Sequence, residues 1–287
     1  MMKAIKLQNY IFIGFLILAS SCVTRKVEND LAQEELVGKV KSVRTTHYSV
    51  TNKFGNVEKG ERFSESWDRD TYIIFDENSN ILQKTYFLND GSVEYQIINE
   101  YDNKGKKIKY SFYDRGELSE FFMYKYDVNG YLIESDRYTP ATGLIWKVKH
   151  KYSKKGWLIV EERYGKNGNL IYAWHYKLDK KGNRIEEKST HYPDEETYLQ
   201  TFSYDKKSKQ TERVDFLSDG RMDQKFVYEY NESGHISRET KYHSDGSIEG
   251  EIKTFEYQLD NQGNWIHKVQ FNNNLPYLIT EREIQYY

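Results

Sequence analysis

Apolar and polar residues alternate along most of the chain, which is the period-two pattern of β-strands with one buried face. From Leu144 to Tyr152, aromatic and aliphatic residues alternate with Lys147, Lys149 and Lys151. Turn residues interrupt such runs after about 8 to 10 residues, an ordinary strand length. No segment after residue 37 keeps a helical period over three turns. The pattern therefore predicts antiparallel strands joined in sequence order, a β-meander.

The turns recur at a nearly fixed spacing of about 26 residues, which indicates a repeat array. The repeated turn positions are Asp76, Asp102, Asp127, Ser153, Asp179, Asp205, Asn231 and Asp260. Most units contain a second turn near their middle, such as Ser218-Asp219-Gly220. Two turns per unit predict roughly 15 to 18 strands in an array of β-hairpins.

The turn residues suit type I turns followed by a bulge. In Asp102-Asn103-Lys104-Gly105, Asp and Gly occupy the positions that they prefer in such a turn. The Asp side chain can accept hydrogen bonds from turn N–H groups, and Gly can adopt a positive φ. Tyr often precedes the Asp, as a ring with one polar end suits a half-buried sheet position. The repeated phrase thus predicts scaffold and gives no evidence of chemistry.

Several phrases resemble known repeats. "YDNKG", "YDVNG", "LDKKGN" and "LDNQGNW" resemble YD repeats of the RHS family, and "FLNDGSVEYQ", "FLSDGRMDQKF" and "YHSDGSIEGEI" resemble a MORN-type variant repeat. The resemblance covers most of residues 36–287, and its flanks are similar to YD-repeat lipoproteins of uncharacterised function from Gram-negative bacteria. It implies a β-repeat fold, and family members often carry a carbohydrate-binding label. Large RHS proteins enclose a toxin in a shell. With about seven units and no toxin-like domain here, we expect an elongated, twisted or curved open sheet.

The N-terminus resembles a lipoprotein signal peptide, residues 1–21. Lys3 and Lys6 precede an apolar stretch too short to span a membrane. The following Leu-Ala-Ser-Ser-Cys resembles a lipobox, in which Cys22, the chain's one cysteine, becomes the lipid attachment site. An ordinary signal peptide with a chance Cys is the alternative. No acidic run follows Cys22, which favours the periplasmic face of the outer membrane over the cell surface.

The remaining chain can be divided by how closely each segment follows the repeat pattern. We predict a tether at residues 22–35, in which residues 30–36 can form a short helix. A β cap at residues 36–70, YD-like repeats at 71–263 and a second β cap at 264–287 follow. The reason for the caps is that an array leaves open edges at its ends. Charged Glu281, Arg282 and Glu283 suit such an edge strand.

Composition supports an all-β protein and excludes some functions. The 26 Tyr, 3 Pro and 16% aromatic residues favour sheet over disorder. A net charge of −2 gives no electrostatic basis for binding nucleic acid. The seven His show no metal-binding spacing, and no Gly-x-Ser-x-Gly motif occurs. We therefore predict no catalytic residue, no metal site and no cofactor.

Aromatic rows are the one feature with potential for ligand binding. The candidate residues, which could stack against a sugar or a peptide, are Trp146, Trp157, Trp174, Tyr152 and Tyr172. The alternative is that they pack within the sheet. The sequence predicts a non-enzymatic cell-envelope lipoprotein that is a scaffold or a binding module for a glycan or protein partner. An envelope enzyme acting on glycans and an immunity or inhibitor lipoprotein are the alternatives.

Overall fold

The computed structural model describes residues 30–53, 56–63 and 68–287. The predicted signal peptide and Cys22 lie outside the described residues. The described residues form one helix, α1 (Asp30–Gln33), and nineteen strands. The strands are β1 (Val40–Lys53), β2 (Asn56–Arg62), β3 (Asp70–Phe75), β4 (Ile81–Phe87), β5 (Val93–Tyr101), β6 (Lys107–Asp114), β7 (Glu117–Tyr126), β8 (Leu132–Thr139), β9 (Gly143–Tyr152), β10 (Leu158–Gly165), β11 (Leu170–Leu178), β12 (Arg184–His191), β13 (Glu196–Tyr204), β14 (Gln210–Phe216), β15 (Met222–Tyr230), β16 (Ile236–His243), β17 (Lys253–Leu259), β18 (Trp265–Asn272) and β19 (Leu275–Tyr286).

The predicted all-β meander is confirmed, but the predicted open sheet is wrong. From β3 to β19, each strand pairs antiparallel with the next one along the chain. The sheet then closes, because β1 pairs with β19 on one side and with β3 on the other. The ring is an 18-strand barrel, and β2 stands outside it as a hairpin partner of β1. Closure satisfies the backbone groups that an open array would leave at its two edges.

The two chain ends thus pair with each other. Glu281 of β19 lies between Thr46 of β1 and His267 of β18. Its carboxylate also accepts a hydrogen bond from Nζ of Lys59 at 2.8 Å. The expectation that the charged residues of β19 protect an open edge is therefore wrong. They occupy an internal strand, where Glu281 pairs with a lysine.

The turns have the predicted geometry. The N–H of Gly105 donates to the carbonyl oxygen of Asp102 at 3.0 Å, and Gly105 has a φ of 76°. Oδ1 of Asp102 accepts hydrogen bonds from the N–H groups of Lys106 and Lys104, both at 2.9 Å. These bonds hold the pKa of Asp102 below its ordinary value. The recurrence of Asp and Gly is thereby explained by local hydrogen bonding and backbone conformation.

The recurring Tyr residues connect one repeat to the repeat before it. In several units, the Tyr immediately before the turn donates its hydroxyl to a backbone carbonyl about 20 residues earlier, just after the preceding turn. The pairs are Tyr126 with Lys107, Tyr152 with Leu132, Tyr204 with Arg184 and Tyr230 with Gln210, at 2.6 to 2.9 Å. Tyr therefore recurs because its hydroxyl reaches a neighbouring unit that Phe could not bond.

The two faces of the barrel wall differ in character. On the outer face, lysines and glutamates pair across strands, as in Lys147 with Glu134 at 2.9 Å and Lys151 with Glu162 at 2.6 Å. Long charged side chains of this kind place their charged ends in water. The inner face mixes aromatic, aliphatic and charged residues and surrounds a cavity. The inner face therefore offers an enclosed space in which a ligand could be sheltered from water.

Helix α1 packs against the inner face, at the end of the barrel where the repeated turns, such as the one at Asp102, lie. Leu31 and Leu36 are each 3% exposed and belong to a buried apolar cluster with Val40 and Ile73. The carboxylate of Asp30 accepts hydrogen bonds from the N–H of Ile81 and the hydroxyl of Tyr101. The described end of the predicted tether is thus part of the packed structure. Among the described residues, no helix has the length and apolar character needed to cross a membrane.

Candidate functional site: a cavity inside the barrel

A cavity with a volume of about 1170 Å³ lies between α1 and the inner faces of β7 to β16. Ligand pockets in proteins commonly measure about 300 to 1,000 Å³, so this space could hold a sizeable ligand. Its wall carries aromatic side chains such as Trp146 and Trp174 beside polar groups such as Gln200. A wall of this mixed character suits a polar ligand better than a purely apolar one.

Three of the five predicted aromatic residues come together around an arginine. The rings of Tyr172 and Trp174 stack with their centroids 5.5 Å apart. The guanidinium of Arg163 lies 4.5 Å from the ring centroid of Trp146 and 5.0 Å from that of Trp174. We call Arg163, Trp146, Tyr172 and Trp174 the Arg163 cluster. These rings share faces with each other and with the guanidinium, and their stacking against a ligand stays a prediction.

The other two predicted residues lie elsewhere, near the repeated turns that begin at Ser153 and Asp179. The hydroxyl of Tyr152 bonds the carbonyl oxygen of Leu132, and its ring lies 4.9 Å from that of Tyr131. Trp157 lies against Gly182 of the next turn along the array. Both residues make packing contacts between repeats, and the structure does not bring them to the Arg163 cluster.

Arg163 differs from the other two arginines that line the cavity. Arg184 pairs with Glu187 at 2.6 Å, and Arg213 pairs with Asp215 at 3.1 Å. Arg163 forms no ion pair with a carboxylate in the described part of the chain, and its buried Nε has no hydrogen-bond partner there. Burial lowers the pKa of this guanidinium. A cation held between aromatic rings without a carboxylate is a natural partner for an anionic ligand group.

A second group on the wall connects four adjacent strands, β8 to β11. Oγ of Ser135, on β8, lies 3.3 Å from Nε2 of His150, on β9. Nδ1 of His150 lies 2.9 Å from Oε1 of Glu161, on β10. The hydroxyl of Tyr176 donates to the other oxygen of Glu161. All four residues line the cavity.

The protonation of this group follows from its partners. Burial alone would raise the pKa of Glu161, but hydrogen bonds from His150 and Tyr176 hold it below its ordinary value. An ionised carboxylate can only accept, so in neutral His150 the proton lies on Nδ1. Nε2 is then free to accept a hydrogen bond from the Ser135 hydroxyl.

The sequence analysis predicted no catalytic residue and did not connect Ser135, His150 and Glu161. They are 15 and 11 positions apart and form no linear motif. His150 lies opposite Glu161 because of a register shift between Leu158 and Val160. Only the strand register could have revealed the group. Within the described ranges, no set of three or more His, Cys, Asp or Glu side chains could hold a metal ion.

No protein-family model matches the chain, and comparison with curated proteins found no match. Solved structures include distant likenesses. A porin-like protein from Bacteroides uniformis has 11% identity and a TM-score of 0.40, over 86% of this chain and 96% of that one. A porin-like protein from Bacteroides vulgatus has 9% identity and a TM-score of 0.36, over 87% and 99%. TcdB2-TccC3 without its hypervariable C-terminal region has 12% identity and a TM-score of 0.27, over 71% of this chain and 14% of that one. At these TM-scores the likenesses carry no functional argument.

Proposed function

We propose that the chain is a cell-envelope lipoprotein whose barrel is a binding module for a glycan or protein partner. Lipid on Cys22 would hold it on the outer membrane, at the periplasmic face. The observation that carries the binding role is the cavity of about 1170 Å³, with Arg163 in its wall and no ion-pair partner for Arg163 among the described residues. An envelope enzyme acting on glycans and an immunity or inhibitor lipoprotein remain the alternative functions.

The Arg163 cluster supports recognition of an anionic group on the ligand. A guanidinium presents a planar set of donors that matches a carboxylate in a bidentate pair. Contacts with Trp146 and Trp174 already fix the position of Arg163, so little side-chain entropy is lost on binding. Polar groups such as Gln200 can bond the rest of a hydroxylated or peptide ligand.

Tryptophan fluorescence can test this binding role, because Trp146 and Trp174 line the cavity. The probes are a hexamer of galacturonic acid, the same hexamer with its carboxylates reduced to alcohols, and hexaglutamate. We expect saturable binding of an acidic probe. Arg163→Met should weaken it about tenfold or more, the effect of losing a charge-assisted hydrogen bond.

Lys149→Gln is the matched control, since it removes one positive charge from the exposed face of a neighbouring strand. It should leave the affinity unchanged. Absence of saturable binding by all three probes at millimolar concentration would contradict the proposed binding role. Equal effects of the two substitutions would contradict the role of Arg163.

The membrane anchor has its own test. Cys22→Ala removes the predicted acceptor of the lipid and should release the protein from the membrane fraction. Its mobility on a denaturing gel should also change, because the signal peptide would no longer be processed as in a lipoprotein. A variant that stays membrane-bound with unaltered mobility would show that the lipoprotein assignment is wrong.

A further inference from the structure

We infer that Ser135, His150 and Glu161 form an acyl-transfer centre that hydrolyses carboxylic esters inside the barrel. This inference goes beyond the binding role. Nucleophilic catalysis needs a hydroxyl within reach of a base, and the base in turn oriented by a third group. The distances of 3.3 Å and 2.9 Å between successive members meet that requirement. Such a triad is recognised by geometry, whatever the order of its residues along the chain.

Each residue has a position that suits its role. Ser135 is 8% exposed and lines the cavity, so its hydroxyl meets the cavity and not bulk solvent. The side chain of His150 is 7% exposed, and Nε2 is the ring atom next to the serine. Glu161 is a positioning residue, since it touches His150 and not the reacting atoms. Tyr176 holds Glu161 from the other side, which limits the movement of the whole group.

Tyr124 is the candidate donor for the developing oxyanion. Tyr124 lies directly opposite Ser135 in the β7–β8 register and lines the same cavity. Burial raises its pKa, so the phenol keeps its proton. Within the described residues its hydroxyl has no hydrogen-bond partner in the structure, although it lies at the cavity wall. A phenol O–H placed in this way can stabilise the negative oxygen of a tetrahedral intermediate.

The reaction proceeds in two balanced halves. Oγ of Ser135 attacks the ester carbonyl carbon as Nε2 of His150 takes the hydroxyl proton, and the carbonyl electron pair moves to the oxygen. Collapse of the intermediate breaks the bond to the alcohol, which leaves with the proton from His150. Water then attacks the acyl-serine, His150 takes a proton from the water and returns it to Oγ, and the carboxylic acid departs. No oxidant or reductant is needed.

The wall around Ser135 indicates the class of ester. Val148 is the cross-strand neighbour of Ser135 on β9, and Phe122 lies nearby on β7. These neighbours are apolar, so the surroundings of Ser135 suit a short, apolar acyl group. The larger, polar part of the cavity, including Arg163, would hold the alcohol portion. The substrate class is therefore a short-chain ester of a polar alcohol, such as an O-acylated sugar.

A biotinylated fluorophosphonate, which reacts with activated serines, tests the centre directly on the full chain. Mass spectrometry of the labelled wild-type protein should place the adduct on Ser135. Hydrolysis of p-nitrophenyl acetate should fall about 100-fold or more in Ser135→Ala and in His150→Gln, the scale of losing a nucleophile or general base. Glu161→Gln should lower kcat and leave KM unchanged.

Ser111→Ala is the control, because Ser111 is a buried serine, 3% exposed, that does not line the cavity. It should keep full labelling and activity. An adduct on another residue, or no adduct at all, would overturn the inference without any variant. So would wild-type hydrolysis by a Ser135→Ala protein with an unchanged circular dichroism spectrum. These results leave the proposed ligand binding untouched, since binding is read separately through Arg163.

Discussion

The pairing of β19 with β1 can be tested by shortening one side chain of β19. Leu278 is 2% exposed and lies between Gln270 of β18 and Ser49 of β1. Leu275 begins the same strand and is 71% exposed. Leu→Ala removes the same atoms at both positions, so effects on the unfolded chain largely cancel. The two variants therefore differ chiefly in whether the shortened side chain is buried between β18 and β1 or exposed to solvent.

The expected size of the effect follows from this burial. Removing the buried methyl and methylene groups of Leu278 costs their transfer free energy plus a cavity term, together about 2 to 5 kcal/mol. Leu275→Ala should change the free energy of unfolding by no more than about 0.5 kcal/mol. With a urea m-value of about 3 kcal/mol per molar, a loss of about 3 kcal/mol lowers the midpoint by about 1 M.

Urea unfolding followed by tryptophan fluorescence measures both midpoints. The result that refutes closure is a Leu278→Ala variant whose midpoint matches that of Leu275→Ala. In an open sheet, β19 would be an edge strand with no neighbour beyond it. Leu278 would then lose its cover from β1 and tolerate shortening.

Two further predictions concern the hydroxyl of a repeated tyrosine and a buried carboxylate. Tyr204→Phe removes the donor to the carbonyl oxygen of Arg184 and should lower the free energy of unfolding in urea by about 1 kcal/mol. Tyr198 is 45% exposed, so Tyr198→Phe is the control and should cause no measurable change. Equal losses in the two variants would contradict a bridging role for the repeated Tyr. Burial alone would raise the pKa of Asp70, but a hydrogen bond from the N–H of His47 and the nearby guanidinium of Arg62 hold it below its ordinary value. The ionised carboxylate therefore stabilises the fold above the unfolded pKa of about 3.9, and this stability is lost as pH falls through the lower folded pKa. Asp70→Asn should therefore show a smaller loss of stability than the wild type below about pH 4, and an acid dependence identical to the wild type would exclude Asp70 as the responsible group.

The local elements of this fold could be predicted because their causes are local. Alternation along a strand and the preferences of Asp102 and Gly105 in a turn depend on near neighbours, and both predictions are confirmed. Closure has no such local cause. It depends on twist added over many strands until β1 and β19 meet. The packing of α1 could not be predicted either, because Leu31 and Leu36 are buried by residues that are distant in the sequence.

The candidate site was predicted less well than the fold. Aromatic bias drew attention to Trp146, Trp174 and Tyr172, and the structure brings these residues together. Their role in ligand binding stays a prediction. The role of Arg163 depends on the absence of a carboxylate opposite it among the described residues. This feature can be recognised only when the cross-strand register is known. The same holds for His150 and Glu161, whose alignment follows a register shift that alternation alone does not reveal. Residues that act together across strands are invisible until the strands are aligned.

The pairing of the chain ends also sets the order in which the molecule can fold. Oγ of Ser42 on β1 donates to Oε1 of Gln285 on β19, a residue 243 positions away. The hairpins between them join close neighbours and can form early, whereas closing so long a loop costs more conformational entropy. One edge of β1 can pair with β2 and β3 at once, but its other edge must wait for the last strand. During synthesis, that edge would be the last one satisfied, and it is the place where a chaperone would best protect the nascent chain from pairing with another copy.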